Sequence, residues 1–392
     1  MPQALDEMTW NESYESAIPV LDDAEAARLA MARELLTDCP DDDDGAAAAL
    51  KSLVGEGFLM DTVPAEHGGR DASVSYAARF LEMLAAKNGS LGWLFTIQQG
   101  LHFLLPTATH GRCGEYFTDV VRQGALFAGS HSRSGLAIRE AADGVELDGI
   151  LQYCSGAPLA TWLTCTAKIP VSGEARGCTM MIDARQPGIS CEPASYLHSM
   201  RGSLTGIVRL TNVRVPWERV YWFSDLGDPA NRPQSCRYYG AWQSILMQGA
   251  VFLGIARCAL SYAHDQLTRR RSAADPAKRF SGDLAIGLST AEFLQARSLF
   301  YNRVQGLEQA ALAGTEQREA SRPWHAAILS TVASLAYSCV SRLVELLGGS
   351  VLVTGNPLER CWRDLQLARV AEGTRQPAVN LALGTFIMEQ KQ

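Results

Sequence analysis

Apolar residues recur at helical spacing near both ends of this chain of 392 residues, and a strand-like pattern separates the two regions. Over residues 17–39, Val20, Leu21, Ala24, Ala27, Leu29, Ala30 and Leu35 alternate with charged residues at the period of an amphipathic helix. A second helix, 46–55, runs into 58–69, where apolar residues, a proline and a glycine pair predict a helix end and a tight surface turn. Helices over 73–87, 90–106 and 111–122 complete an all-helical first unit. Residues 91–106 are the most apolar early stretch, but Gln98, Gln99 and His102 interrupt them. That stretch is also shorter than the roughly 20 residues of a membrane span, so it reads as a buried helix.

The period changes at Gly124. Residues 125–130, 144–154, 161–169, 178–184 and 206–215 are short runs rich in valine, threonine, isoleucine and aromatics, bounded by glycine, proline and aspartate, and they predict strands. Helical spacing returns over 241–271, 284–313 and 324–347, followed by a short segment ending at Glu372 and a last helix to Met388. Long helices with apolar stripes predict a bundle. Within the first of them, small residues over 249–256 predict close helix contact.

Composition narrows the class. The length predicts two or three packed units, and 47% hydrophobic with 20% charged residues is ordinary for a globular protein. A net charge of -7 argues against a nucleic-acid partner. Ten cysteines without paired CxxC spacing indicate neither a zinc site nor a disulfide scaffold, so no metal is expected. The acidic run 41–44 reads as a solvated loop or helix start. No secretory leader and no membrane span are evident, and a cytoplasmic location is expected.

Residues 361–374, Cys-Trp-Arg-Asp-Leu-Gln-Leu-Ala-Arg-Val-Ala-Glu-Gly-Thr, put one carboxylate, Glu372, at a helix break directly after a long apolar segment. Gly373 can take backbone angles that other residues resist, and Thr374 can cap a new helix whose first turn tolerates Pro377. Glu372 then sits at a junction, from which a side chain can be aimed inward. The bland alternative is a surface carboxylate at a helix terminus.

This stretch resembles the arginine-aspartate and glutamate-glycine-threonine segment of the acyl-CoA dehydrogenase family, whose glutamate takes the substrate's α-proton. The similarity runs from Val63 to Met388. Pro64-Ala65-Glu66-His67-Gly68-Gly69 is similar to the family's proline-glutamate-tyrosine-glycine-glycine turn, and Met200-Arg201-Gly202-Ser203 and Val213-Arg214-Val215-Pro216 resemble its closing strand. The resemblance implies an α+β multidomain fold: an N-terminal helical domain over 1–122, a middle β-barrel domain over 123–232, and a C-terminal four-helix bundle over 233–392. It also implies FAD held between barrel and bundle with help from a neighbouring subunit, since no GxGxxG follows a strand here.

Carried over by residue, the resemblance places Phe127, Gly129 and Ser130 at the flavin ring. The next loop departs from the family pattern, but Ser132 keeps a hydroxyl for the cofactor. Tyr153, Ser155 and Gly156 match the strand end that lies against the flavin. Arg271 matches an arginine that reaches the pyrophosphate across a subunit boundary, with Phe280 displaced behind it. Gly348 and Gly349 match a glycine pair at the phosphate-ribose region, and Thr374, which follows the base, is a further cofactor contact. Trp93, His131 and Gln243 are the candidate substrate contacts.

Two enzyme readings follow. In the first, an acyl thioester bound to CoA or a carrier protein is α,β-desaturated, with Glu372 as base, flavin as hydride acceptor and an external carrier reoxidising the flavin. The second is a two-component monooxygenase fed by a flavin reductase, hydroxylating or N-oxidising a small molecule. Asn88-Gly89-Ser90-Leu91-Gly92-Trp93, Ser155-Gly156 and the long connection after Arg271 resemble that branch. A binding scaffold without activity is the third. Kinship implies a homodimer or homotetramer.

Overall fold

In the computed structural model the described residues are 18–40, 42–130, 135–171, 174–193, 197–224, 240–271, 275–312, 322–371 and 373–389; side chains of 240–245, 311–312 and 322 are not described. Among the described residues, five α-helices come first: α1 (Asp23–Leu35), α2 (Gly45–Gly55), α3 (Val74–Lys87), α4 (Gly89–Ala108) and α5 (Gly114–Gln123). Local chemistry sets their starts. The side chains of Asp22, Ser73 and Asn88 accept hydrogen bonds from the first turns of α1, α3 and α4, as N-caps do. Gly124 ends α5 at φ +64°, the left-handed geometry that glycine adopts without penalty.

The strands are β1 (Leu126–Ser130), β2 (Leu136–Ala141), β3 (Gly144–Cys154), β4 (Ala160–Val171), β5 (Glu174–Asp183), β6 (Ile189–Pro193), β7 (Gly206–Pro216) and β8 (Val220–Trp222). They form two four-stranded sheets, ordered β1-β4-β5-β8 and β2-β3-β7-β6. Both sheets contribute to one apolar core, including Leu163, Met180 and Ile182 from the first and Leu147, Val208 and Val213 from the second. The expected barrel is thus built as two facing sheets. β1 runs parallel to β4, with Gly129 opposite Thr164 and Ser130 opposite Cys165; all other pairings are antiparallel. The sequence reading did not foresee β2, β6 and β8. β2 and β6 are largely exposed edge strands with little apolar alternation, and β8 is only three residues long.

Helices α6 (Gly240–Arg270), α7 (Pro276–Leu312) and α8 (Arg322–Leu347) form the bundle, followed by α9 (Pro357–Asp364), a 3₁₀ turn over Leu365–Arg369 and α10 (Gln376–Glu389). α6 packs against α3 and α4 as well as α7 and α8, so the first helices and the bundle share one core. Small residues make that approach possible. A Cβ at Gly254 would lie 2.3 Å from Glu82 O on α3, and one at Gly249 would lie 2.9 Å from the Phe300 ring on α7. Leu246–Arg270 and Pro323–Leu347 are long and apolar enough to cross a membrane by length and composition. Within those windows, 72% and 50% of residues lie inside the protein, where the bundle core accounts for their character.

Buried ion pairs join the parts. Glu82 on α3 accepts from Arg297 Nε at 3.0 Å and from the Tyr301 hydroxyl at 2.6 Å, both on α7. Burial pushes its pKa up, but Arg297 and Arg257, with the Tyr301 hydrogen bond, outweigh this and hold the carboxyl below its ordinary value.

Candidate active site

A cavity of about 480 Å³ opens where α4, the ends of β1 and β3, α6 and the chain after α9 meet. Its strand-end wall carries Gly129, Ser130, Tyr153, Ser155 and Thr164, and its helix wall carries Trp93, Thr96, Ile97, Leu101, Leu104 and Gln248. Leu367, Val370, Ala371 and Arg375 complete it.

Each wall is fixed by interactions that can be named. Gln98, within the apolar run of α4, donates Nε2 to Phe127 O at 2.9 Å and accepts from Phe127 N at 2.8 Å, clamping the start of β1 to the helix. Parallel pairing with β4 then sets Ser130 at the cavity. Trp93 Nε1 donates to Ser155 Oγ at 3.2 Å, and a relay of hydroxyls continues from Ser155 to Thr205 at 2.9 Å and from Thr205 to Ser203 at 2.7 Å. Tyr153 is held at φ +58°, a conformation costly for a bulky residue, on the cavity rim.

The segment after α9 is anchored by Arg363 and Asp364, which are 2% and 1% exposed. Arg363 Nη2 donates to Asp43 Oδ1 at 2.6 Å and Nε to Asp364 Oδ1 at 3.3 Å. Asp364 Oδ1 also accepts from Met200 N at 2.8 Å, and its backbone oxygen accepts from Ser199 Oγ at 2.8 Å. One arginine-aspartate pair therefore ties the first helical unit, the β unit and the bundle together, immediately before the residues that line the cavity. Asp43 belongs to the run read as a solvated loop or helix start. Its neighbour Asp42 does accept from Gly45 N at the start of α2, but Asp43 is taken up by the buried guanidinium.

Burial raises the Asp364 carboxyl to about 6 from 3.8, against the opposing pull of Arg363 and the Met200 N–H. A folded-state pKa above the unfolded one adds stability that is full below about pH 4 and is lost as pH rises through about 6, amounting to about 3 kcal/mol. Asp364→Asn should remove that component. Urea unfolding at pH 4.5 and pH 7 should therefore show stability falling less, or rising more, between the two pH values in the variant than in the wild type. An unchanged difference would exclude the shifted carboxyl.

Beyond Ala371, Gly373 turns the chain at φ +79°. Thr374 was expected to cap the last helix, but its hydroxyl turns back to Ala371 O at 2.8 Å, and α10 begins two residues later, at Gln376. From α8, Ser330 Oγ donates to Thr374 O at 3.1 Å, and Ser334 accepts from Gln376 Nε2 at 2.7 Å.

Of the residues proposed from sequence, Trp93, Gly129, Ser130, Tyr153 and Ser155 come together on this cavity. Phe127 does not reach it: the ring is fully buried and both backbone groups are held by Gln98. Gly156 lies behind the wall, where a Cβ would meet Leu94 at 3.4 Å. Arg271 pairs with Asp283 on the bundle surface, Phe280 is 71% exposed, and Gly348 and Gly349 face open space; none of the four lines this cavity. Thr374 is buried beside the cavity-lining Arg375. Glu372, His131, Ser132 and the side chain of Gln243 lie outside the described residues. Sequence reasoning missed Gln98, Thr96, Gln248 and Asp43 as site-building residues. The signal for Gln98 was present, a polar residue inside an apolar helix.

Comparison with known proteins agrees with this architecture. Residues 246–376 match the family described as acyl-CoA dehydrogenase, C-terminal domain. The chain is 24% identical to a 3-(aryl)acrylate reductase of Clostridium sporogenes, over 83% of this chain and 86% of that protein. It is 25% identical to the oxygenase component of an FADH(2)-dependent resorcinol hydroxylase of Rhizobium sp., over 81% of each. The structure of butyryl-CoA dehydrogenase from Megasphaera elsdenii superposes with a TM-score of 0.79 at 16% identity, covering 94% of this chain and 99% of that one. Residues 246–376 therefore match an acyl-CoA dehydrogenase C-terminal domain, and the whole chain resembles in sequence and fold a set of proteins that includes both dehydrogenases and flavin-dependent hydroxylases.

Proposed function

We propose that the protein is a flavin-dependent dehydrogenase that α,β-desaturates an acyl thioester, with Glu372 as the base. The observation that carries this reading is that Ala371 and Arg375, on either side of the glutamate-glycine-threonine stretch, both line the cavity, together with Leu367 and Val370.

The strand-end wall suits a flavin: the backbone of Gly129 and the hydroxyls of Ser130, Ser155 and Thr164 offer hydrogen-bonding groups to a flat polar heterocycle, facing a largely apolar helix wall. When bound, FAD would supply the hydride acceptor for the substrate β-carbon. The protein's part is to place the thioester along Ile97, Leu101 and Leu104, to exclude water there, and to take the α-proton on the Glu372 carboxylate. An external carrier then removes the electrons.

A homodimer or homotetramer is supported by Phe280, Leu284 and Leu288, which expose apolar side chains at successive turns of α7. A cytoplasmic setting suits this reading.

Relatedness to the resorcinol hydroxylase favours a second reading, a two-component monooxygenase supplied with reduced flavin by a reductase. Anaerobic mixing with a panel of short, branched and aromatic acyl thioesters separates the two. Bleaching of the bound flavin by at least one thioester is expected. No bleaching, with oxygen consumed only when a reductase and reduced flavin are supplied, would replace the first reading by the second.

A further inference from the structure

Two polar atoms in the cavity wall are dry and lack a hydrogen-bond partner: Thr96 Oγ1 on α4 and Gln248 Oε1 on α6. Thr96 is 3% exposed. A threonine inside a helix commonly turns its hydroxyl onto the carbonyl four residues back, as Thr109 does to Leu105 O at 2.7 Å and Thr331 to Ala327 O at 2.9 Å. Thr96 makes no such bond. α4 and α6 pack directly on each other, so both residues belong to one helix-lined side of the cavity, opposite the strand ends. Their neighbours there, Ile97, Leu101 and Leu104, are apolar.

We infer that the substrate is not a plain hydrocarbon acyl chain: it carries an uncharged hydrogen-bonding group, a hydroxyl or a carboxamide, that Thr96 and Gln248 recognise. This rests on the thioester dehydrogenase reading for the rest of the substrate. A saturated chain filling the cavity would leave both atoms as unpaired as they already are, whereas a hydrogen-bonding group would relieve a cost of about 1–3 kcal/mol for each buried group. Each atom can be re-aimed by one torsion: a χ1 step of about 120° carries the Thr96 hydroxyl into another staggered position, and a half-turn of the terminal amide exchanges Oε1 and Nε2 of Gln248. Between them they offer both a donor and an acceptor, which suits a hydroxyl or an amide. Neither carries a charge, and among the described residues the charged lining residue, Arg375, is exposed to solvent, so these offer an ionised chain end no buried counter-charge.

The test uses flavin-loaded Glu372→Gln protein as a host in which binding is measured without turnover. Hexanoyl- and octanoyl-pantetheine are compared with their ω-hydroxy counterparts by isothermal titration, in the host and with Gln248→Leu or Thr96→Val added. At least one hydroxylated thioester should bind roughly 10-fold or more tightly than its parent, and each added substitution should shrink that ratio to about 3-fold or less. Equal affinities for both members of each pair, no binding of any of the four, or a ratio unmoved by the substitutions overturns the inference. Thr96→Val is nearly isosteric and carries the reading if Gln248→Leu fails to fold. Flavin bleaching by the same thioesters in the wild-type protein reports on the dehydrogenase assignment separately, because the affinity ratio does not depend on turnover.

Discussion

Glu372→Gln is expected to keep its flavin and to reduce the flavin bleaching rate with an acyl thioester by roughly 10²–10⁴-fold, the range that a positioned general base contributes. Glutamine keeps the length and polarity of the side chain but cannot accept the α-proton. The loss should appear in the bleaching rate and not in thioester affinity, because a base that acts at the transition state contributes little to ground-state binding. Stopped-flow absorbance under nitrogen measures the rate, and titration with the thioester measures the affinity. A rate within a few-fold of wild type would remove Glu372 from the chemistry. A matched loss of affinity would instead assign it to holding the substrate.

The second large effect concerns the buried anchor. Arg363→Met should destabilise the fold by about 3–5 kcal/mol, because it leaves the buried Asp364 carboxyl and the half-buried Asp43 carboxylate without their shared cation. Arg363→Lys should recover part of the loss by restoring charge without the planar fork. The exposed pair Arg209–Glu192, at 2.7 Å, is the internal control: Arg209→Ala should leave the unfolding midpoint unchanged within error. Denaturant titration of the three variants gives the comparison. A midpoint for Arg363→Met equal to that of Arg209→Ala would show that the junction between the helical units and the sheets does not depend on this guanidinium.

The sequence made the helices legible because their apolar spacing is long and regular. α3, α4, α6 and α8 are buried along whole faces, and their ends differ from the sequence reading by a few residues at most, whereas α7 begins at Pro276 and not at 284, because its first turns are largely exposed and carry no apolar stripe. The strands that pack the sheet core, such as β3, β4 and β7, were legible for the same reason, whereas β2 and β6 lie on sheet edges, where alternation is weak, and β8 is too short to show any. Site residues followed a different rule. Ser130 and Ser155, which line the candidate cavity, stand at strand ends within recognisable local patterns. Phe127 belongs to the same pattern, but a one-residue step along a strand turns a side chain to the opposite face, and which face was buried against α4 depended on Gln98, 29 residues away. Asp43 was illegible for a related reason. Its partner Arg363 lies 320 residues along the chain, and a carboxylate in an acidic run looks the same whether it meets water or a buried guanidinium.

The proposed desaturation claims that a proton and a hydride leave adjacent carbons of one acyl chain at the cavity between Trp93 and Ala371. The mass of the product from a single anaerobic turnover tests this claim most directly. A thioester lighter than its substrate by two hydrogens, formed without oxygen, is expected. A product heavier by one oxygen atom, formed only in air and only with reduced flavin supplied, would contradict the claim.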